Sequence, residues 1–313
     1  MKTILVCTLL SLCAWGSAQE PTAILKTSGL VSDVVVREGK IVVATDGGGV
    51  DIFDVKTRKK ASNISVPLLS DINGKKIIPK IYSADSIGDQ TVMVSESGKE
   101  FRNVYLYDGK KLTNVVDSSR KLLIKKVRFV DATHLLFGLS GDTLVLMNIP
   151  DKRLVYQIQI GQGVFRDMAL SDSKKIVAAT DEGGEIAMFE TNSGKWIKTL
   201  KGINVDNINR IDYKHNTIIS AGQDRRVGIY QRSGSYFLES DFFIYAVGLS
   251  PSAVQGVYVD GTENELQLFN IQTKQKGARL RAGEAVPDSL IFINEKELIS
   301  AGEENQIYYW RLP

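Results

Sequence analysis

A unit of about 40 residues recurs along this 313-residue chain, and the repeat narrows its possible folds more than any other feature. Its clearest copy runs from Gly163 to Gly202, GVFRDMALSDSKKIVAATDEGGEIAMFETNSGKWIKTLKG. Four apolar-rich strands are expected there: Phe165–Leu170, Ile176–Thr180, Glu185–Glu190 and Trp196–Leu200. The breaks fall at Ser-Asp-Ser-Lys, Asp-Glu-Gly-Gly and Asn-Ser-Gly, whose residues supply tight backbone turns. One such four-stranded antiparallel sheet is too small to bury both of its faces, so copies must stack to build a core.

The third strand of each unit ends in a large apolar residue followed by a polar one. The series is Phe53-Asp54, Tyr107-Asp108, Met147-Asn148, Phe189-Glu190, Tyr230-Gln231, Phe269-Asn270 and Trp310-Arg311. Seven units fill nearly the whole chain. The seventh stops directly after its third strand, while a spare strand, Thr22–Thr27, precedes the first unit. A deficit at one end and a surplus at the other predict a closed ring in which the N-terminal strand completes the last blade. The expected fold is an all-β, seven-bladed β-propeller of four-stranded antiparallel blades over residues 19–313, monomeric.

These repeats resemble WD40 propellers over roughly residues 22–313. Trp-Asp never occurs intact, and the Gly-His that opens a typical unit is absent. Asp224, in SAGQDRRVGIYQ, matches that family's turn aspartate, and Glu304, Asp46 and Asp181 sit near the equivalent place. VYVDGTENELQLFN, Val257–Asn270, is similar to the bacterial YVTN branch of propellers. In length, class and lack of cofactor ligands the chain also resembles the NapL-type propellers associated with periplasmic nitrate reductase. That resemblance implies an accessory role in maturation of, or electron delivery to, a periplasmic reductase. The implied partner is another periplasmic protein, the reductase or a member of its electron-transfer chain.

Residues 1–18 read as a signal peptide: Met1-Lys2, an apolar run Thr3–Trp15 too short to span a bilayer, then Gly16-Ser17-Ala18. Cleavage is expected between Ala18 and Gln19, with delivery to the periplasm. Both cysteines, Cys7 and Cys13, lie in this segment, so the mature chain has no disulfide and no thiolate. Lipidation would use Cys13, but Leu12 stands where a small residue is normally needed. A lipid there would favour a second reading, an envelope or outer-membrane assembly scaffold. No other segment is apolar enough to span a membrane.

The net charge is +3, which with an exported location disfavours nucleic acid as a partner. The charge is uneven: residues 19–162 carry 21 basic and 16 acidic side chains, and residues 163–313 carry 17 and 20. Such an asymmetry can orient a partner during encounter. The second unit is lengthened around Leu69–Lys80 and Ser95–Asn103, and its basic stretch Asn73–Lys80 is a candidate contact loop.

No cofactor, metal site or catalytic set is expected. The two histidines, His134 and His215, fall in turns of different units, and three tryptophans are too few for quinone-docking motifs. Gly47-Gly48-Gly49 lacks the following helix of a phosphate loop and reads as a hairpin turn. A YVTN- or lactonase-like hydrolase would need a metal held by a set such as Asp33, Asp167, Asn209 and Asp288.

Aligning the innermost strands exposes the best functional signal. One column reads Val31, Ile81, Ile124, Phe165, Ile208, Ile244 and Pro287, which must be packing. The next reads Ser32, Tyr82, Lys125, Arg166, Asn209, Tyr245 and Asp288, polar or amphipathic but different in every blade. Inner strands begin at the mouth of a propeller's central channel, and a composite recognition surface needs such variety. These seven residues are the candidate binding rim, with the two tyrosines and the arginine as anchors.

Overall fold

A computed structural model of the chain describes residues 18–261 and 263–312. The expected signal peptide, with Cys7 and Cys13, falls outside the described residues except for Ala18. Seven four-stranded antiparallel sheets form the blades of a β-propeller. Their inner strands are Val31–Arg37, Ile81–Ile87, Ile124–Asp131, Asp167–Leu170, Ile208–Lys214, Val247–Leu249 and Pro287–Asn294. The inner strand of the last blade packs against that of the first, which closes the ring. Among the described residues no helix is long and apolar enough to cross a membrane.

The seam closes as the sequence predicts. Ala23–Lys26 pairs antiparallel with Gln306–Arg311 in the register Ala23↔Tyr309 to Lys26↔Gln306, completing the seventh blade. Leu25 is buried there among Ile299, Ile307, Tyr309 and residues of the first blade. Further upstream, Gln19 exchanges backbone hydrogen bonds with the outer strand of the sixth blade, at Arg279 (2.8 Å) and Arg281 (2.9 Å).

A blade buries its faces only against its neighbours, and the core divides accordingly. Seven apolar clusters occur, one at each junction between adjacent blades. The large residues ending the third strands supply them: Phe53, Met147, Phe189, Tyr230, Phe269 and Trp310 are all buried. Tyr107, in the irregular second blade, is half-buried and donates its hydroxyl to Gly109 O at 2.8 Å. Phe165 lies flat against Gly138 of the preceding blade, so close that any side chain at 138 would overlap the ring.

In blades 1 and 5 the turn acid fastens the blade to the connection that arrives from its predecessor. Asp46 accepts from Leu30 N (2.7 Å), and Asp224 from Val205 N (2.8 Å). Blade 5 extends this into a buried network in which Ser220 and Tyr230 donate to Asn204 Oδ1 at 2.5 and 3.2 Å. Blades 3 and 4 differ, because Asp142 and Asp181 converge on the same space beside Gly161, where the missing Cβ leaves room for both. Asp142 is fully buried and neither carboxylate oxygen has a hydrogen-bond partner.

Burial, with the facing Asp181 carboxylate adding to it, pushes the Asp142 carboxyl up to about 6. A carboxyl raised in the folded state takes up a proton on folding. The pair therefore favours the fold at acid pH, and that contribution is lost as pH rises through about 6. Asp142→Asn is expected to stabilise the protein by about 1–2 kcal/mol at pH 8 and by roughly half as much at pH 5, because the contribution is complete only below the ordinary carboxyl value. Urea unfolding at the two pH values measures this, and a variant less stable than wild type at pH 8 would contradict it.

Candidate functional site

The rim residues owe their freedom to a local defect in the sheet. After the buried apolar residue that opens each inner strand, the register slips by one residue in five blades. The residue left without a ladder partner is Ser32, Tyr82, Lys125, Asn209 or Asp288. A β-bulge of this kind re-aims its side chain away from the sheet's alternation. Arg166 and Tyr245 lie just ahead of ladders that begin at Asp167 and Val247.

The seven do not form one continuous lining. Ser32, Tyr82, Lys125 and Arg166 share a cavity of ≈ 320 Å³ at the channel mouth. Tyr82 is held under the Arg102 guanidinium, 4.0 Å from the ring centroid, with the Lys80 ammonium at 5.8 Å. Lys125 donates to Phe165 O of the next blade (3.2 Å), and Asn209 donates likewise to Ile244 O (2.9 Å). These two therefore also bind adjacent blades together. Tyr245 joins an aromatic group with Phe242 (6.4 Å between centroids), itself 5.3 Å from Phe243. Asp288 turns the other way, toward Arg210 and a larger cavity of ≈ 470 Å³ that opens where the inner strands end.

Between the two cavities lies a layer of charge that the column reading missed. Arg128 grips Asp33 with two parallel bonds, Nη1 to Oδ2 at 2.7 Å and Nη2 to Oδ1 at 2.9 Å, across from the third blade to the first. Ser83 of the second blade donates to the same carboxylate at 2.5 Å. Lys126 bonds Asp167, whose other oxygen accepts from Ile211 N at 3.0 Å. Arg210 stands 3.9 Å from Asp167 and 3.6 Å from Asp288. Asp33, Lys126 and Arg210 line both cavities, so this layer is the floor that separates them. Three acids face three bases, and blades 2 and 6, with Ser83 and Ala246 at the corresponding position, add no charge to the layer.

The layer shifts its members' titration in opposite directions. Burial opposes ionisation of Asp33, but the Arg128 guanidinium overrides it and holds the carboxyl well below the usual range. Burial pushes the Asp288 carboxyl up, against the pull of Arg210. It also lowers Lys126, with Asp167 opposing. The set Asp33, Asp167, Asn209 and Asp288 does not fit a divalent cation. Asp33 and Asp167 are engaged by cations and backbone amides, Asp288 by Arg210 and Ser289, and Asn209 by Ile244 O.

The face around the smaller cavity is unusually apolar. All seven connections from an outer strand to the next inner strand open on it. Ten of the sixteen exposed large apolar residues among those described lie in these connections: Leu30, Leu68, Ile72, Ile77, Ile78, Val164, Val205, Phe242, Phe243 and Val286. Five of the others lie on outer strands, and only Val254 is on the opposite face. The insertion in blade 2 forms a hairpin, Leu69–Ser70 with Lys76–Ile77, whose tip residue Ile72 is fully exposed. The insertions of blade 2 carry Lys75, Lys76, Lys80, Lys99 and Arg102 against Asp71, Glu96 and Glu100, whereas Glu263, Glu284 and Glu304 line a cavity with Arg281 between the sixth and seventh blades. The insertions of blade 2 are thus net basic and the junction of blades 6 and 7 net acidic.

One other expectation needs adjustment. His134 opens the strand His134–Leu139 instead of lying in the turn before it, its Nδ1 3.1 Å from Asp131. Arg226 folds back over Phe237 at 4.2 Å and donates to Ile203 O at 3.0 Å.

The fold and this face define a seven-bladed β-propeller whose channel is floored by ion pairs. In comparison with known proteins, the chain matches no family model and no curated relative.

Proposed function

We propose that this is an exported, non-catalytic propeller that binds another protein through the face where its inner strands begin. The observation that carries the reading is the gathering of exposed apolar side chains on that face, beside two aromatic anchors, with the insertions of blade 2 net basic and the junction of blades 6 and 7 net acidic. Exposed apolar side chains gathered on one face mark interaction sites. Tyr82 and Tyr245 present large rigid side chains at low entropic cost, the usual make-up of a hot spot. The opposite net charges of blade 2 and of the junction of blades 6 and 7 would set the partner's rotation about the propeller axis.

The setting we propose is the periplasm, after cleavage between Ala18 and Gln19. The partner class is a periplasmic reductase system, served in maturation or electron delivery, as the resemblance to NapL-type propellers implies. The carboxylates that line the channel cavities, Asp33, Asp167, Asp172, Asp212 and Asp288, are each engaged by a cation or a backbone amide, which supports a binding role over hydrolysis. Tyr82→Ala and Tyr245→Ala are each expected to weaken partner binding by about 1–3 kcal/mol without loss of fold. Binding by both variants at wild-type affinity would remove the rim from the account. Recovery of outer-membrane assembly proteins instead of a reductase would move the partner class to an envelope scaffold.

A further inference from the structure

The smaller cavity holds more positive charge than its surroundings neutralise. Its lining includes Arg102, Lys125, Lys126, Arg166 and Arg210 against one acid, Asp33. That acid is already taken by Arg128, and Lys126 and Arg210 are matched by Asp167 and Asp288 in the floor. Arg102, Lys125 and Arg166 remain as surplus. Lys125 has only a carbonyl partner, Phe165 O, and Arg166 reaches a carboxylate only at 3.5 Å, at half-exposed Glu182.

Two buried polar atoms of the lining residues also lack any partner, Arg166 Nε and Ser32 Oγ. Buried donors without acceptors are uncommon in folded proteins and call for an explanation. Here both belong to side chains that line the same ≈ 320 Å³ space. We propose that this cavity binds a small polyanion, a free molecule carrying two or more carboxylate or phosphate groups.

The chemistry fits in three respects. Guanidinium and ammonium donors bind oxyanions through short, charge-assisted hydrogen bonds. Lys125 is held below its ordinary range by burial and by the like charge of Arg166, a cost that an anion between them would relieve. The ionic layer lies between this cavity and the larger one, with Asp33, Lys126 and Arg210 in both linings, so it forms the inner wall of the site. The proposal does not rest on the protein-docking reading, since it is tested on the purified chain with no partner present.

The test is isothermal titration of the mature protein with citrate and with pyrophosphate at constant ionic strength, with sodium chloride as the control. A tetraglutamate peptide is titrated in parallel to represent an acid presented by a partner protein. The expected result is saturable one-to-one binding of citrate or pyrophosphate, weakened about tenfold or more by Lys125→Gln and by Arg166→Gln. Arg153→Gln, on the outside of blade 3, should leave it unchanged. Lys125 is a bulge residue outside the strand ladder, so its variant keeps the core intact even if the Arg166 variant does not fold. No saturable heat from either anion, binding of the peptide alone, or wild-type affinity in Lys125→Gln would overturn the proposal.

Discussion

Arg128→Ala is expected to destabilise the protein by about 3–5 kcal/mol, the usual cost of leaving one member of a buried ion pair without its partner. The loss would be felt at several points. Asp33 would stay buried with only Ser83 and the Ala84 amide as donors, and Arg128 Nη1 also serves Val127 O and Ala84 O. The carboxyl now held low by the guanidinium would return toward protonation. The double replacement Asp33→Leu with Arg128→Met removes both charges together and is expected to recover most of the loss, since matched apolar replacement of a buried pair is often close to neutral. Denaturant unfolding at pH 7 of the two singles and the double gives the coupling directly. A cost below about 1 kcal/mol for Arg128→Ala would mean that the pair is hydrated and the channel floor open.

Deletion of residues 19–27 is expected to have the second large effect. It removes the outer strand of blade 7, the burial of Leu25 and the ladder to Gln306–Tyr309. Leu25→Ala alone should cost about 2–5 kcal/mol, and the deletion more. It also uncovers the backbone edge of the strand that ends the chain, a template for pairing with other molecules. The shortened chain should therefore melt well below wild type and associate in a concentration-dependent way on size exclusion. A synthetic peptide spanning Gln19–Thr27, added in trans, should restore part of both properties. An unchanged melting temperature and a monomeric elution would show that the strand contributes nothing to closure.

The features that could be read from the sequence are those fixed by local pattern and by counting. Strand limits at Ile176–Thr180 and Trp196–Leu200 coincide with those observed, because turn residues bound them on both sides. Seam closure could be read because a missing strand and a surplus strand are both visible in one dimension. The hairpin over blade 2 was visible as extra length. The inner strand of blade 4 begins at Asp167 and not at Phe165, since the chain is still entering the ladder at its first two residues.

The channel floor could not be read in this way. Asp33 and Arg128 are 95 residues apart, and their contact depends on how far each blade is rotated in the closed ring. One signal was nevertheless present. Consecutive polar pairs such as Ser32-Asp33, Lys125-Lys126, Arg166-Asp167 and Asn209-Arg210 break the period-two alternation of strands that are otherwise apolar, which is what a bulge followed by an inward-facing polar residue looks like. Reading both members of each pair would have found the rim and the ionic layer together. The meeting of Asp142 with Asp181 had no comparable trace, because each lies in an ordinary turn of its own blade and only stacking brings them together.

Docking of a protein on the apolar face at the start of the inner strands is tested most directly by capture from the periplasmic fraction of the native cells with the tagged mature protein. Three baits would be compared: wild type, the face variant Ile72→Asp with Tyr245→Ala, and the outer-strand variant Trp196→Ala with Ile197→Ala. One protein should be recovered in near-stoichiometric amount by wild type and by the outer-strand variant, and lost from the face variant. Equal recovery by the face variant, or loss only from the outer-strand variant, would contradict docking on that face.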